Sequence, residues 1–267
     1  MKKLIITTII LLSISYVFSQ ESERNNASFS LGDGISFSFN EGDYEFNIYG
    51  FIKPTYIYND EKIYTADGEY SNVFRQFKSQ NSNLFFTGFA KDEKLSFTIQ
   101  MDYSSSNPLV EAFIGYHFNE KTTLYFGQMQ VNHNNLEMTH NEDRLRFTNR
   151  GILSQTYTEN GEEFGLFFET SFGKSIIFKP TLAITSGDGK NSFGDDSRDS
   201  DKGGVKFGSR INIFPFGDFS IGNRLSTVDL MHEERPKVQI GFAYSKNMGA
   251  SNKAVSYTHL TLPTTLQ

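Results

Sequence analysis

The sequence predicts an all-β fold, an antiparallel up-and-down β-barrel that crosses a membrane with its strands. Three observations predict it: an export signal at the N-terminus, no later apolar run long enough for a spanning helix, and alternating aromatic-rich segments of roughly ten residues. Aromatic residues make up 15% of the chain and charged residues 21%. A barrel explains this mixture because every second residue of a strand faces lipid and the others face a wet interior.

The first segment, 1–19, has the features of a signal peptide. Lys2 and Lys3 precede an apolar stretch from Leu4 to Leu12, and small residues then lead to Ser19, with Gln20 as the expected mature start. The apolar stretch is well short of the ~20 residues that a spanning helix needs. The chain has no cysteine, so it carries neither a lipid-modified cysteine nor disulfides. We therefore expect an exported protein.

About ten long strands are predicted after the signal. A short strand, Ile35–Phe39, precedes the first long one, Tyr44–Tyr58, and Asn59–Ser71 is polar and predicted to be a loop. Pro54 lies inside the first long strand and implies an edge, a bulge or a strand end, because proline cannot donate to a ladder. The other predicted strands are Leu84–Ala90, Leu95–Tyr103, Val110–Phe118, Thr123–Val131, Phe164–Thr170, Ser175–Thr185, Val205–Phe214, Phe219–Leu225 and Val238–Tyr244.

The connections between these strands alternate in length. The short turns are 91–93, 119–121, 172–174 and 215–218, and the longer connections are 104–108, 132–160, 186–203 and 226–235. Outer-membrane barrels have short periplasmic turns and longer external loops, whereas a soluble sandwich with Greek-key connections does not keep this alternation. The pattern favours the barrel, and an exported soluble β binding module stays open as an alternative.

The two faces of several strands can be distinguished. In Leu95–Tyr103 the odd positions are apolar and are expected to face lipid, while Gln100 and Asp102 are expected to face the lumen. In Val205–Phe214 the same alternation directs Lys206 and Arg210 to the lumen. A charge on the lipid face would cost about 2–4 kcal/mol near the bilayer midplane, so the inward assignment is favoured.

Catalytic, metal and nucleic-acid sites are not expected. The chain has no Gly-x-Ser-x-Gly elbow and no His-Glu-x-x-His pattern, and the acidic stretch 188–201 lacks the order of an EF-hand loop. The net charge of −6 and the lack of a basic patch interleaved with stacking aromatics argue against nucleic-acid binding. We expect neither an enzyme nor a cofactor-binding protein.

Short sequence stretches, in order along the chain, resemble the phosphate-selective porin O and P family. They are Val110–Tyr116, Leu124–Met129, Leu136–Thr139, Arg150, Thr185–Asn191, Gly208–Arg210, Pro215–Phe216 and Pro236–Gly241. The resemblance covers most of Ile35 to Lys246. It implies a homotrimeric porin of the bacterial outer membrane, in contact with lipid and lipopolysaccharide, that passes small hydrophilic solutes or ions by passive diffusion. Anions such as phosphate are the class that the family name implies.

The resemblance also implies that the third external loop folds into the lumen and narrows it. That loop is Asn132–Asn160, called the third connection below, and it is the longest in the chain. Its charged residues are candidates for the pore constriction, because charge near a narrow water-filled passage sets ion selectivity. The candidates are Arg144, Arg146, Arg150, Glu137 and Asp143. A solvated surface loop is the alternative for this segment, and a non-channel structural or adhesive barrel is the alternative for the protein.

We expect the barrel domain to span 20–254 and the tail 255–267 to be non-native. The tail, from Val255, shifts to Thr and Leu without strand alternation and resembles a translated sequencing adaptor. About ten strands are few against the roughly 16 to 18 of a general porin. We therefore expect the natural protein to continue beyond Ala254 and to complete the barrel there.

Overall fold

The computed structural model describes residues 25–90, 93–147, 149–156, 161–191 and 204–250, together with the backbone of 264–266. The predicted signal peptide, most of the acidic stretch within 188–201 and most of the predicted non-native tail lie outside these residues.

The regular secondary structure of the described chain is almost entirely β-strand. Its strands are β1 (Asn26–Ser30), β2 (Gly34–Phe39), β3 (Tyr44–Gly50), β4 (Pro54–Thr65), β5 (Gly68–Ser79), β6 (Asn83–Ala90), β7 (Leu95–Asp102), β8 (Leu109–Asn119), β9 (Thr122–Gln130), β10 (Glu162–Thr170), β11 (Phe172–Gly173), β12 (Ile177–Thr185), β13 (Val205–Phe214), β14 (Val238–Met248) and β15 (Thr264–Leu266). One short helix, α1 (Ile152–Thr156), lies in the third connection. Within the described residues no helix has the length and apolar character needed to cross a membrane.

Thirteen of these strands form a single antiparallel sheet, in the order β1-β2-β3-β6-β7-β8-β9-β10-β12-β13-β14-β15, with β11 beside β12. Apart from the inserted hairpin of β4 and β5, neighbours in the sheet follow one another along the chain. This confirms the predicted all-β, antiparallel, up-and-down architecture. Among the described strands, β1 and β15 do not pair with each other, so the sheet is open.

The register confirms the predicted alternation of apolar and polar side chains. Phe97 of β7 lies opposite Gly88 and Ile114, whereas Gln100 lies opposite Phe85 and Glu111. Because directly opposed residues of antiparallel strands share a face, one face of the sheet is apolar. We call it the apolar face and the other, which carries Gln100, the polar face.

The apolar face is rich in exposed aromatic and branched side chains. Phe46 lies between Phe37 and Phe97, with ring centroids 6.1 and 6.0 Å away. Ile114 is 58% exposed and Phe126 48% exposed, although both lie in the middle of paired strands. The buried apolar residues lie instead between the polar face and the connections that cross it; they include Val131, Leu136, Phe167, Phe214 and Phe219.

The predicted strand Tyr44–Tyr58 is wrong in its extent, and the predicted loop Asn59–Ser71 is wrong in kind. The chain leaves the sheet after Gly50, and β4 and β5 form a separate two-stranded hairpin across this region. Pro54 opens β4, which agrees with the expected strand end. The hairpin turns just before Gly68, whose φ of +130° suits glycine. The Asp67-Gly68 pair is a turn signal, but the polar composition of the segment led to the prediction of a loop.

The predicted strand Phe219–Leu225 is also wrong. Residues 215–237 form one continuous connection between β13 and β14, with a single 3₁₀ turn at Ile221–Asn223. We call residues 215–237 the inner segment. The side chain of Asn223 accepts hydrogen bonds from the backbone N–H groups of Leu230 and Met231, at 2.9 and 3.1 Å. Such local side-chain bonds compete with a strand ladder, and here they replace it.

Candidate functional site

The polar face has two opposite ends that the register defines. Gln130 pairs with Glu162, and Thr185 pairs with Lys206, so these residues mark one end, where the third connection begins. Ile177 pairs with Phe214 at the other end, where the inner segment begins. The two connections therefore enter from opposite ends of the sheet.

The third connection lies across the polar face. At its start, Asn132 Nδ2 donates to Thr181 Oγ1 of β12 at 3.2 Å, and Arg210 Nη1 of β13 donates to the carbonyl oxygen of Asn134 at 2.7 Å. Further along the connection, the carbonyl oxygen of Glu142 accepts a hydrogen bond from Lys53 Nζ at 3.0 Å. Lys53 lies just before β4. The connection thus reaches from β13 to the region beside β6.

Gly208 of β13 permits this close approach. A Cβ atom at Gly208 would lie 2.5 Å from Asn132 Oδ1 and 2.9 Å from His133 Nδ1, closer than real Cβ contacts. Burial, followed by the positive charge of Lys206, lowers the pKa of His133 to about 3. His133 is therefore neutral near pH 7 and adds no charge to the face.

The inner segment meets the third connection over the polar face. Asn141 N donates to the carbonyl oxygen of Leu225 at 2.9 Å, and Thr227 N donates to the carbonyl oxygen of Arg144 at 3.0 Å. Arg144 Nη1 in turn donates to the carbonyl oxygen of Gly222 at 3.2 Å. Two connections from opposite ends of the sheet are thus held together by backbone hydrogen bonds.

Asn223 holds the inner segment in its shape. Its side chain is 2% exposed, and its Nδ2 donates to Asp229 Oδ1 at 2.7 Å and to Glu233 Oε1 at 3.1 Å. A hydrogen bond from the backbone N–H of Glu233 is the main cause that lowers the pKa of Asp229. The backbone N–H of Ser220 does the same for the pKa of Glu233. Both carboxylates are therefore favoured in their ionised form.

Two of the predicted constriction residues form a local network in the third connection. Arg150 Nη2 lies 2.8 Å from Glu142 Oε1, and Arg150 also donates to the carbonyl oxygens of Glu137 and His140. Burial opposes ionisation of Glu137, but hydrogen bonds from Ser154 and Gly151 and the charge of Arg150 outweigh it, so its pKa is lowered. The structure brings Glu137 and Arg150 together, with Glu142 as the partner that the sequence did not single out.

The other predicted constriction residues lie nearer to solvent. Arg144 Nε is 3.8 Å from Asp143 Oδ2, and about a third of each side chain is exposed. Arg146 places its guanidinium 5.8 Å from the ring centre of Phe147 and is exposed.

The four residues predicted to face the lumen all lie on the polar face. Gln100 Nε2 donates to Asn83 Oδ1 at 3.2 Å, and Asp102 Oδ1 accepts from the backbone N–H of Ser104 at 2.9 Å. Lys206 Nζ donates to Glu163 Oε1 at 2.7 Å. Arg210 is 5% exposed. Glu163 is fully buried and was missed by the sequence reasoning, although it lies on the polar face of its strand like the others.

A cavity of about 230 Å³, which we call the chamber, lies between the third connection and the polar face. It is lined by Asn81, Asn83, Phe85, Gln100, Asp102, Val110, Glu111, Gln130, Met138, Thr139, His140, Asn141, Glu142, Arg150, Glu162 and Lys190. Most of these side chains are polar, so the chamber suits water and small hydrophilic solutes. In the described part of the chain, no group of three or more His, Asp or Glu side chains is arranged to hold a metal ion.

Comparison with known proteins adds no family assignment. No protein-family model matches the chain, and neither does any curated protein.

Proposed function

We propose that this protein is a porin of the bacterial outer membrane that lets small hydrophilic solutes or ions diffuse passively through a lumen narrowed by the third connection. The observation that carries the proposal is the position of that connection, which crosses the polar face of an up-and-down sheet whose other face is apolar and exposed.

The apolar face supports a membrane environment. Leu182 and Ile184 of β12 are each 45% exposed, and Phe126 and Ile114 are similarly open to the surroundings. Leaving such a face in water costs roughly 25 cal/mol per Å² of apolar surface. Contact with lipid removes this cost, and strands that alternate apolar and polar residues are how barrels cross membranes.

We further propose that the full-length protein closes the sheet into a barrel of the phosphate-selective porin O and P type and assembles as a homotrimer. Closure is expected because an open sheet edge in hydrocarbon leaves backbone groups without partners. The lipid and lipopolysaccharide of the outer membrane are then its surroundings. Transport needs neither cofactor nor turnover in this proposal, since solutes move down their own gradient.

The test has two stages. Heat-modifiable gel mobility after membrane fractionation should show that the full-length protein is a folded membrane barrel. Single-channel recording in planar bilayers, with chloride, phosphate and potassium compared, should then show discrete conductance steps. A protein that stays in buffer without detergent would instead be an exported soluble β binding module. A membrane barrel without conductance would be a structural or adhesive protein.

A further inference from the structure

The basic groups of the polar face are engaged within the protein. Lys206 pairs with Glu163 at 2.7 Å, Lys179 pairs with Asp218 at 2.6 Å, and Arg150 pairs with Glu142 at 2.8 Å. Each of these cations is thus neutralised by a carboxylate. They are poorly placed to attract a passing anion.

Arg210 is the basic residue of this face without a carboxylate partner among the described residues. Its guanidinium donates instead to Asn212 Oδ1 and to the carbonyl oxygen of Asn134, both at 2.7 Å. The remaining nitrogen, Nη2, is buried against Gly241 and has no hydrogen-bond partner among the described residues. Its burial keeps it out of contact with solvent and with solutes.

The carboxylates of the chamber are engaged much less. Glu111 accepts one hydrogen bond, from Gln130 N to Oε1 at 2.9 Å. Asp102 uses Oδ1 for its neighbours Ser82 and Ser104, and its Oδ2 has no hydrogen bond within the described chain. The carboxylate of Glu162 accepts a hydrogen bond from its own backbone N–H and none from another described residue. Acceptors without a partner therefore line the chamber. One donor there, Gln130 Nε2, also has no partner among the described residues, and the positive charge of Lys190 lies near Glu111 and Glu162.

His140 is a second, independent sign that the chamber holds a ligand. Its side chain is 8% exposed, it lines the chamber, and its Nδ1 has no hydrogen-bond partner in the described structure. Burial, followed by the charge of Arg150, lowers the pKa of His140. The imidazole is therefore neutral near pH 7, so it adds no positive charge and keeps a lone pair on one nitrogen.

We propose that the passage prefers cations, and that the chamber, through Asp102, Glu111, Glu162 and His140, is the place where passing cations are concentrated. This inference rests on the proposed channel function and names its solute class. Acidic groups with free acceptors at a narrow passage raise the local cation concentration, because surrounding protein of low dielectric focuses their field.

The chamber suits hydrated monovalent cations better than a chelated metal ion. Its carboxylates do not converge into a metal-binding group in the described residues. Conduction requires that an ion bind well enough to enter and weakly enough to leave. Separated carboxylates around a cavity of about 230 Å³ meet both requirements, since an ion there can keep part of its water.

The experiment measures reversal potentials of the full-length protein in planar bilayers under a potassium chloride gradient, at about pH 9, so that the buried carboxylates of the chamber are ionised. Wild type should show potassium more permeant than chloride. A unit negative charge about 8 Å from an ion in water raises the local cation concentration roughly twofold and lowers the local anion concentration roughly twofold. Glu111→Gln and Glu162→Gln should therefore each lower the potassium-to-chloride permeability ratio about fourfold, and the double variant about sixteenfold. Glu111→Asp keeps the charge and should keep the ratio.

Glu169→Gln is the matched control. Glu169 lies on the polar face of β10, at the opposite end of the strand from Glu162. Its substitution should therefore change the potassium-to-chloride ratio little. Absence of any conductance in wild type would overturn the channel function and this inference together. Conductance with chloride more permeant, or a ratio that the chamber variants leave unchanged while heat-modifiable mobility shows them folded, would overturn the cation preference alone. The wild-type ratio decides the sign even if a variant fails to fold.

Discussion

Replacement of Asn223 by alanine should release the inner segment from the third connection. Asn223 is 2% exposed, and its amide makes hydrogen bonds with Asp229, Glu233 and the backbone N–H groups of Leu230 and Met231. A neutral hydrogen bond contributes about 0.5–1.5 kcal/mol and one to a charged group about 1.5–3 kcal/mol. Because the bonds share one side chain, we expect a net local loss of about 2–4 kcal/mol.

The assay is amide hydrogen exchange followed by mass spectrometry. A loss of about 2–4 kcal/mol corresponds to roughly 30- to 900-fold more frequent local opening. Peptides that cover 220–233 should exchange faster by a factor in this range, while peptides from β8 and β9 should not change. Arg144 loses its contact with Gly222 when the segment opens, so the segment is no longer held over the polar face. The mean conductance of the proposed channel should therefore rise as well.

Asn141→Ala is the matched control, because Asn141 reaches Leu225 through its backbone N–H, which alanine retains. Exchange in 220–233 should then stay close to wild type. If Asn223→Ala accelerated exchange there less than about threefold, the assignment of Asn223 as the residue that holds the inner segment would be refuted.

Three further predictions concern pH, packing and a buried ion pair. Asp229 and Glu233 have lowered pKa values, so the stability they contribute is present above the unfolded carboxyl pKa and is lost as the pH falls through their pKa values in the folded protein. A spin label on the inner segment should therefore become more mobile on acidification. Unchanged mobility would contradict this. Gly208→Ala places a Cβ atom 2.5 Å from a side-chain oxygen of the third connection and should lower the free energy of unfolding by about 1–3 kcal/mol, measured by urea titration on heat-modifiable gels. Lys206→Met leaves the fully buried Glu163 without its cationic partner and should lower the free energy of unfolding by about 3–5 kcal/mol in the same titration. The double variant Lys206→Met with Glu163→Leu should recover most of this loss.

The prediction of the sheet rests on the two-residue periodicity of the strands. In Leu95–Tyr103 every second side chain is apolar, and the observed register keeps those side chains on one face. A slip of one residue would move all of them to the other face, so the pattern alone strongly restricts the pairing. Gln100, Asp102, Lys206 and Arg210 lie together on the polar face for the same reason; that they face a lumen stays a prediction.

The errors arose where side-chain contacts override periodicity. Phe219–Leu225 has the composition of a strand, yet Asn223 binds the backbone of Leu230 and Met231 and closes a compact connection instead. These partners lie several residues away, and their importance is visible only when the segment is folded. The hairpin of β4 and β5 was missed because its many polar residues resemble a loop, although the Asp67-Gly68 turn was readable.

The sequence by itself determined the all-β class, the antiparallel order of the strands and the two faces of the sheet, because these follow from local alternation and from the lengths of the turns. Only the tertiary structure decided which charges remain available on the polar face. Arg150 and Glu142 are eight positions apart and Lys206 and Glu163 are forty-three, and each pair is neutralised through contacts that depend on how the connection and the strands pack. Whether a charge can act on a solute depends on its partners in space, and alternation along a strand does not encode them.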